Sequence, residues 1–525
     1  MMMKVMMLML LTTISVLAQE EICPYQNRGW SIEHWPMNTD QSEKCQTCTS
    51  YFLQEQAIWC NDTSVAAILN NLDKECKSKF SIKEPKKRKL CEAVAGIAVQ
   101  IPPGIQEGMM SLSWPLPEAL CATLLQCTVD CTLDQLQPPS QVHLSFTSQS
   151  SVYGVSWVTF NESSSFVQYG LSPDKLNLIN EGTLLTYKAS GWRGTIHRAL
   201  MTNVEPGQIY YYRVGNGVDM WSKVFNYTAL TPLQDITFAV LGDIDFEANA
   251  TIANIGSLAQ TGAIQGVIIT GDISYADGYE PHWDRFFERT EVFTAYVPTM
   301  VTPGNHEFWF NFTSFKKRFY FPGVTDEGGS GDNMFYSWNS GRAHFVSGNS
   351  ESPIDTANFS DEYLNWLEKD VSAVDRDVYP FVINFYHRPM YCSNNNECLN
   401  KGGELLRQQG EQLMNDLKIN LVLNGHVHSY ERTLPVFNWT ATQLDYSEPS
   451  STVHIVQGAS GNREGNDGFP TDLPQWSAGR ASEVGFGLLS VAESQLKWSF
   501  YAVREESQGG PYLVDPGFVM TPWKK

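Results

Sequence analysis

The sequence predicts a multidomain chain with a helical, disulfide-rich module, then a β-sandwich, then a larger α/β domain. Nine of the eleven cysteines lie before Pro138. Short strands with period-two alternation and regular turn signals follow that proline, which is typical of a sandwich. Beyond residue 235, apolar strands alternate with helical patterns, which indicates an α/β core. A chain of 525 residues is long enough for all three.

The composition narrows the range of partners. Charged residues make up 18% of the chain, and the formal net charge is -21 at pH 7. Because a phosphate backbone favours a basic surface, this acidic balance argues against nucleic acid as a partner.

The N-terminus, residues 1–18, predicts a signal peptide. Lys4 precedes an apolar run from Val5 to Leu11, and the segment ends at Ala18 with small residues before the cut. The run is too short to span a bilayer, so a membrane anchor is the weaker interpretation. We expect a secreted or lysosomal/vesicular glycoprotein, in which disulfides are allowed. Seven glycosylation sequons support this expectation, at Asn61, Asn161, Asn226, Asn249, Asn311, Asn358 and Asn438.

The cysteine-rich module is predicted over residues 41–131. Its Cys45-x-x-Cys48 precedes a helical apolar pattern. Such a pair could bind zinc or perform redox chemistry, but no second pair or histidine pair accompanies it in the module. An oxidising compartment therefore favours disulfides.

Six of these cysteines, at 45, 48, 76, 91, 121 and 127, resemble the saposin pattern, a helical fold that interacts with lipids. The resemblance implies the pairs Cys45–Cys127, Cys48–Cys121 and Cys76–Cys91, which the sequence alone does not choose. The partners of Cys23, Cys60 and Cys131 are left open. Lipid or membrane-surface contact is the functional interpretation, and a covering or activating domain is the alternative.

The β-module is predicted over residues 138–232, after the linker Pro138-Pro139. Period-two alternation and regular turns favour a β-sandwich of the fibronectin III-like kind. No acid–base or metal-ligand cluster is visible in this part of the sequence, so we interpret it as scaffold and pocket rim.

The chemistry is predicted in the α/β domain, residues 235–525, where five strands end in metal-capable residues. The carboxyl ends of strands in an open α/β sheet are where ligands bind. The five strands run from Ile236, Gly266, Thr299, Phe381 and Leu421, and the candidates after them are Asp243, Asp272 with Tyr275, Asn305 with His306, His387, and His426 with His428.

These side chains offer oxygen and nitrogen ligands in a number that suits two metal ions. Asp272 could bridge the ions through its two oxygens. A phenolate such as Tyr275 is formed most readily on a hard, highly charged ion, which indicates ferric iron. Each residue alone could instead cap a helix or satisfy a turn, but five such strand ends in succession argue against that interpretation.

Together, Gly271-Asp-Ile-Ser-Tyr275, Gly304-Asn-His306 and Gly425-His-Val-His428 make the chain from Pro138 onward resemble the purple acid phosphatases, within the calcineurin-like metallophosphoesterases. The resemblance implies Fe(III) held by Asp243, Tyr275, His428 and bridging Asp272. It implies a divalent Fe, Zn or Mn held by Asp272, Asn305, His387 and His426. It also implies hydrolysis of phosphate esters at acid pH, with His306 positioning the phosphate or protonating the leaving group.

Two departures from that family pattern are visible. Asp245 stands where many metallophosphoesterases have a histidine ligand, and we expect it to support the centre rather than to bind metal. The loop after His387 lacks the histidines of plant members, and Cys392 and Cys398 are expected to pin it.

Two other functions stay open at this level. A saposin module joined to a metallophosphoesterase also describes acid sphingomyelinase, a lipid phosphodiesterase. A non-enzymatic lipid-binding glycoprotein with a relic site is the lesser alternative. Tyr275 favours the phosphatase.

Overall fold

A computed structural model describes residues 138–523, with short gaps at 161–163, 190–191, 193, 322–328, 352–356, 395–397, 399–400 and 505–508. The signal peptide, the module predicted over 41–131 with its three disulfides, and the sequons at Asn61 and Asn161 lie outside the described residues.

The predicted β-sandwich is confirmed as two four-stranded antiparallel sheets. Inward-facing residues such as Trp157 and Tyr212 are buried between them, as the period-two pattern requires. The strands are β1 Ser140–Phe146, β2 Tyr153–Thr159, β3 Phe166–Gly170, β4 Leu178–Glu181, β5 Thr183–Leu185, β6 Thr195–Met201, β7 Ile209–Gly215 and β8 Phe225–Thr228. Their orders are β1-β2-β6-β5 and β4-β3-β7-β8.

The α/β domain contains two mixed sheets. Its strands are β9 Ile236–Leu241, β10 Gly266–Ile269, β11 Thr299–Val301, β12 Tyr336–Ser340, β13 Ala343–Ser347, β14 Phe381–Phe385, β15 Leu421–Asn424, β16 Tyr430–Thr433, β17 Val436–Phe437, β18 Thr440–Ala441, β19 Val453–Gln457, β20 Ser477–Ala481, β21 Gly485–Val491, β22 Leu496–Ala502 and β23 Tyr512–Met520. Six form the order β11-β10-β9-β21-β22-β23, seven form β12-β13-β14-β15-β19-β16-β20, and β17 and β18 pair as a separate two-stranded antiparallel sheet.

The sequence has helical patterns at 248–260, 282–293, 361–374 and 404–417; the first three are present as helices with small shifts at their ends, and the fourth is divided by a π turn. Ser360 caps α4, its hydroxyl accepting from the backbone N–H of Tyr363 at 3.1 Å, and acidic residues open its first turn, as the helix dipole favours. The helices are α1 Asn249–Gln260, α2 Glu280–Thr294, α3 Trp309–Arg318, α4 Asp361–Ser372, α5 Lys401–Leu406 and α6 Gln412–Asp416, with a 3₁₀ turn at Asn305–Glu307 and a π turn at Arg407–Glu411. Helix α3, which the sequence did not predict, includes three left-handed residues, 310–312.

Aromatic contacts join the layers. Phe238 on β9 and Phe345 on β13 stack across the two mixed sheets with ring centroids 5.2 Å apart. Phe146 of the sandwich packs on Phe238 at 5.9 Å and on Trp338 at 6.4 Å. One continuous apolar core therefore spans both parts.

Parallel pairing explains how the site is assembled. Strands β9, β10 and β11 run parallel in one sheet, and β14 and β15 run parallel in the other. Because parallel strands end at the same edge of their sheet, the five loops that carry the candidate residues converge.

Helix apolarity and the exposure of the sequons bear on where the protein is located. In residues 138–523, outside the gaps given above, no helix has the length and apolarity needed to cross a bilayer. Among the described sequons, the asparagines at 249, 311 and 438 are exposed and those at 226 and 358 are partly buried.

Candidate metal centre

Four of the candidate ligands lie on left-handed backbone just after their strands. Their φ angles are 56° at Asp243, 51° at Asp272, 48° at Tyr275 and 70° at His426. Non-glycine residues in this region cost energy, and such residues concentrate at functional sites. Gly271, at φ 94°, allows the close approach that the site needs, since a Cβ there would lie 2.6 Å from His387 Nδ1.

The first group of ligand atoms comes from Asp243, Tyr275 and His428. The Tyr275 hydroxyl lies 3.2 Å from His428 Nε2 and 3.5 Å from Asp243 Oδ1. His428 Nε2 lies 3.4 Å from the same carboxylate oxygen. Three atoms of ligand type thus face one point, with Asp243 and Tyr275 fully buried.

The second group comes from Asp272, Asn305, His387 and His426. Asn305 Oδ1 lies 3.0 Å from His387 Nε2 and 2.9 Å from His426 Nδ1. His387 Nε2 also lies 3.1 Å from Asp272 Oδ2. Ligand atoms of Asp272, His387 and His426 all lie within 4.8 Å of one another, so these three could hold a metal ion.

The two groups are linked. The backbone N–H of His426 donates to both oxygens of Asp243, at 3.0 and 2.8 Å. The Asp272 carboxylate is close enough to raise the pKa values of both Asp243 and Tyr275, where it adds to the larger effect of burial. The charge of Asp272 therefore acts on residues of both groups.

The electrostatics of the site fit bound cations. Burial opposes ionisation of Asp272, but His387 and His306 outweigh it and hold the pKa of this carboxyl well below its usual range. Burial likewise disfavours a charged His387, yet Asp272 raises the pKa of that imidazole to about 10. Burial, reinforced by neighbouring carboxylates, raises the pKa of Tyr275 well above its usual value. Tyrosinate at this position therefore needs a strongly charged cation beside it.

The donor set fits two metal ions. Carboxylate, amide, imidazole and phenol oxygens and nitrogens suit iron, zinc or manganese, and every predicted ligand belongs to one of the two groups. Asp243, Tyr275, His428 and Asp272 would hold one ion, and Asp272, Asn305, His387 and His426 the other.

His306 is oriented by a carboxylate rather than grouped with the ligands. Its Nδ1 lies 2.6 Å from Asp277 Oδ1, and its Nε2 lies 3.8 Å from Asp272 Oδ2. Arg463 in turn pairs with the second oxygen of Asp277. The imidazole is thus fixed with Nε2 toward the centre.

Glu307 fastens two of the ligand loops together. Its carboxylate accepts from the backbone N–H groups of Asp272 and Ile273, both at 2.9 Å, and from Gly304 at 2.7 Å. Three such donors favour the ionised form, yet burial dominates and raises the pKa of Glu307 to about 8. The side chain fixes where Asp272 stands.

Sequence reasoning missed two residues of this neighbourhood, Arg463 and Glu464. The Glu464 carboxylate lies 3.9 Å from both His306 Nε2 and His428 Nε2. A glycine-rich approach, Gly458-Ala-Ser-Gly-Asn462, was the available signal, because such loops allow close backbone contact with a site.

The two departures from the family pattern also have places in the structure. Asp245 accepts from the backbone N–H of Glu247 at 3.2 Å and lies 3.9 Å from Arg463 Nε. Burial raises the pKa of Asp245 to about 7. A disulfide joins Cys392 and Cys398, and both cysteines pack against Val427, which lies between His426 and His428.

Family models match three consecutive stretches of the chain. Residues 139–229 match the N-terminal domain of purple acid phosphatase, residues 236–430 match calcineurin-like phosphoesterase, and residues 451–509 match iron/zinc purple acid phosphatase-like protein C.

Individual relatives agree with these matches. Acid phosphatase type 7 of Danio rerio is 31% identical over 67% of this chain and 85% of its own length. Purple acid phosphatase 18 of Arabidopsis thaliana is 35% identical over 68% of this chain and 79% of its own. In fold, the chain is similar to purple acid phosphatase PPD1 of yellow lupin, Lupinus luteus, with a TM-score of 0.63, 23% identity, and 73% and 74% of the two chains covered.

Proposed function

Because the chain belongs to the purple acid phosphatase family, we propose that it hydrolyses phosphate monoesters at an Fe(III)–M(II) centre, where M is iron, zinc or manganese. Membership makes it a metal-dependent acid phosphatase that acts on phosphate esters. The observation that carries the proposed metals is the position of Tyr275, whose hydroxyl faces Asp243 and His428 at 3.5 and 3.2 Å.

The proposed ligand assignment follows from the two groups. Asp243, Tyr275 and His428 would hold the ferric ion, Asn305, His387 and His426 the divalent ion, and Asp272 both. When bound, the metals would supply an activated hydroxide and stabilise charge on the phosphoryl oxygens.

The protein's own side chains orient and protonate the substrate. Asp277 fixes His306 through Nδ1, which leaves Nε2 to donate a proton to the leaving alkoxide. Burial of the ligands excludes bulk water, which strengthens every charge interaction inside the site. Glu307 holds Asp272 in place throughout.

The proposed identity of the metals is tested by the visible absorption spectrum and the metal content of the purified protein. A tyrosinate on ferric iron should absorb broadly in the green, so we expect purified protein to be purple and to contain two metals, one of them iron. The Tyr275→Phe variant should lose the band, whereas Tyr446→Phe, which alters a tyrosine that bonds to Thr433 O at 3.0 Å, should keep it. Active protein that contains no iron would overturn the ferric assignment.

The substrate class is tested by comparing esters. We expect release of phosphate from p-nitrophenyl phosphate with a rate maximum at acid pH. The lipid phosphodiesterase alternative, which rests on the saposin-like cysteine pattern, predicts faster cleavage of sphingomyelin in liposomes. Binding of the protein to the same liposomes tests the proposed lipid contact of residues 41–131.

The proposed secreted or lysosomal location is tested by expressing the protein in secretory cells and locating it there.

A further inference from the structure

Arg463 contacts two of the ligand loops at once, although it belongs to neither ligand group. Its Nη2 donates to the backbone carbonyl of Tyr275 and to Oδ2 of Asp277. Its Nε lies 3.9 Å from Asp245 Oδ2. Asp245 and Asp277 each stand two residues after a ligand of the first group, Asp243 and Tyr275 respectively. One guanidinium therefore joins the loops of two ligands.

The turn that Arg463 contacts has unfavourable backbone angles. Ser274, Tyr275 and Asp277 have φ angles of 71°, 48° and 48°. Left-handed backbone at residues other than glycine costs energy and persists only where the surroundings hold it. A terminal guanidinium nitrogen has two N–H groups and can donate to two acceptors. Arg463 therefore fixes the carbonyl of Tyr275 and the carboxylate of Asp277 relative to each other.

The loop that leads to Arg463 is itself fastened to the loop of the first ligand. The backbone N–H of Ser460 donates to the carbonyl of Gly242 at 3.1 Å, and that of Asp245 donates to the carbonyl of Gly461 at 3.2 Å. The side chain of Arg463 is only 28% exposed. The guanidinium is therefore held in a defined place, from which it can position other groups.

Two groups of the proposed mechanism depend on this turn. The phenol of Tyr275 is the proposed ferric ligand, and Oδ1 of Asp277 lies 2.6 Å from Nδ1 of His306, the proposed proton donor. The guanidinium carbon of Arg463 also lies 5.7 Å from the centre of the Tyr275 ring. A cation near an aromatic ring is attracted to its electrons and stabilises them. A single side chain thus acts on the metal ligand and on the proton donor.

We propose that Arg463 is a positioning residue that fixes the Tyr275 phenol for the ferric ion and, through Asp277, the His306 imidazole for protonation of the leaving group. This inference rests on the proposed phosphatase function and adds a residue that supports both parts of it. Arg463 makes and breaks no bond in the reaction.

The effect on Tyr275 is tested by the absorption band of iron-loaded protein. In Arg463→Ala the electrons of the phenolate lose a nearby cation, so less energy is needed to transfer one to iron, and we expect the band to shift to longer wavelength. Arg463→Lys keeps the charge and should restore part of the band position. Asp277→Asn alters the contact to His306 and should move the band less.

The effect on His306 is tested by varying the leaving group. An alkoxide needs a proton from an acid as it leaves, whereas p-nitrophenolate needs little help. For Arg463→Ala we expect kcat for glycerol 2-phosphate to fall about 10- to 100-fold, the range found for residues that orient a functional group, and kcat for p-nitrophenyl phosphate to fall by less. Asp277→Asn should show the same dependence on the leaving group.

Two control variants separate positioning from general stabilisation. Arg376 also fastens a loop through one nitrogen, its Nη2 donating to the carbonyls of Leu417 at 2.8 Å and Lys418 at 3.0 Å. Arg376→Ala should keep the band position and the ratio of the two kcat values, even where stability falls. Arg342 pairs with Glu493 at 3.4 Å on the surface, and Arg342→Ala should change neither readout.

The possible outcomes decide between the two roles. An unchanged band in Arg463→Ala together with equal losses of kcat on both esters would mean that Arg463 only stabilises the fold, and would overturn the proposal. If Arg463→Ala does not fold, Arg463→Lys is judged by the same two readouts. If wild-type protein cleaves no ester, the proposed function fails and the band decides the role of Arg463. If it is active without iron, the ferric assignment fails and the leaving-group comparison decides.

Discussion

Two buried clusters of charge in this molecule contain similar residues and are completed in different ways. One, the interface cluster, consists of Arg318, Glu280, Asp284, Tyr187 and Trp192, and lies where the sandwich meets helices α2 and α3. Arg318 Nη1 is 2.9 Å from Asp284 and its Nη2 is 3.4 Å from Glu280. Trp192 Nε1 also donates to Asp284, at 3.0 Å. Both carboxylates there pair with the same guanidinium, which the chain itself supplies.

The candidate metal centre differs in charge balance and in backbone. Its carboxylates and its phenol face imidazoles across 3.1 to 3.4 Å, and they stand on left-handed loops rather than on regular helices. A cluster in which the chain supplies both the carboxylates and their cation can stabilise the fold. A cluster that brings several metal-ligand atoms together on strained loops is arranged to bind an external ion. Removing one member should therefore affect function in one cluster and folding in the other.

The largest effect is expected for Asp272→Asn. Loss of the bridging carboxylate should lower kcat/KM by roughly 10³-fold or more, because metal chemistry supplies several kcal/mol of the rate enhancement. Metal analysis should show less than two ions per chain, and the folded state should persist by circular dichroism.

A matched control exists in the same domain. Asp370 also pairs with a histidine, its Oδ2 lying 2.8 Å from His344 Nε2, but away from the ligand groups. Asp370→Asn should keep metal content and kcat/KM. Equal losses in both variants would show that any buried carboxylate–imidazole pair matters equally, and the contrast between the clusters would collapse.

The second effect is expected in the interface cluster. Arg318→Ala leaves Glu280 and Asp284 buried without their cation, so the free energy of unfolding should fall by about 3–5 kcal/mol. The kcat of protein that remains folded should be close to that of the wild type. Denaturant titration and single-temperature kinetics measure the two quantities separately.

Arg342→Ala provides the reference for that measurement, since surface ion pairs contribute about 0–1 kcal/mol. A fall in kcat without loss of stability for Arg318→Ala would place the interface cluster in the catalytic machinery instead.

A smaller effect on metal affinity and activity is expected at Glu307, which holds the loops of the metal ligands in place. Glu307→Gln replaces one of the two carboxyl oxygens that accept from the backbone N–H groups of Asp272, Ile273 and Gly304 with an amide nitrogen that cannot accept. Because residues that orient ligands typically contribute 10- to 100-fold to metal affinity or activity, we expect a loss in that range. Added metal should restore part of the activity, which it would not do for Asp272→Asn.

These contrasts show which parts of the molecule could be predicted from sequence. The strands and the metal-capable residues at their ends are local patterns, and parallel pairing guarantees that Asp272 and Asn305 meet at one edge.

What the sequence could not give depends on contacts between distant segments. Glu464 lies near His306 although it is about 160 residues further along the chain. The sequence around Glu464 has no hydrophobic periodicity that would indicate a functional residue. Arg388 looks like a turn residue after His387 until Glu351 and His426 are seen beside it. Residues 310–312 of α3 have left-handed backbone although none of them is glycine, so the sequence gives no sign of this conformation.

The smallest effect concerns the pH dependence of the fold at Glu288, on the same helix as Glu280 and Asp284. Burial, then the nearby carboxylates of Asp284 and Glu291, raise the pKa of Glu288 to about 8, against the effect of Arg285. The folded state therefore binds this proton more tightly than the unfolded state. Its contribution to stability is complete below about pH 4.5 and is lost as the pH rises through about 8.

Glu288→Gln removes this dependence because glutamine stays neutral. Relative to the variant, the wild type should lose about 1–2 kcal/mol of unfolding free energy between pH 5 and pH 8, a figure that allows for partial exposure of the side chain. Urea denaturation at the two pH values measures the change, and Glu493→Gln, at an 80% exposed side chain, is the control. Parallel pH profiles for the wild type and both variants would mean that burial on this helix does not favour the protonated acid. The helix of the interface cluster would then not be adapted to the acid pH at which the centre is proposed to work.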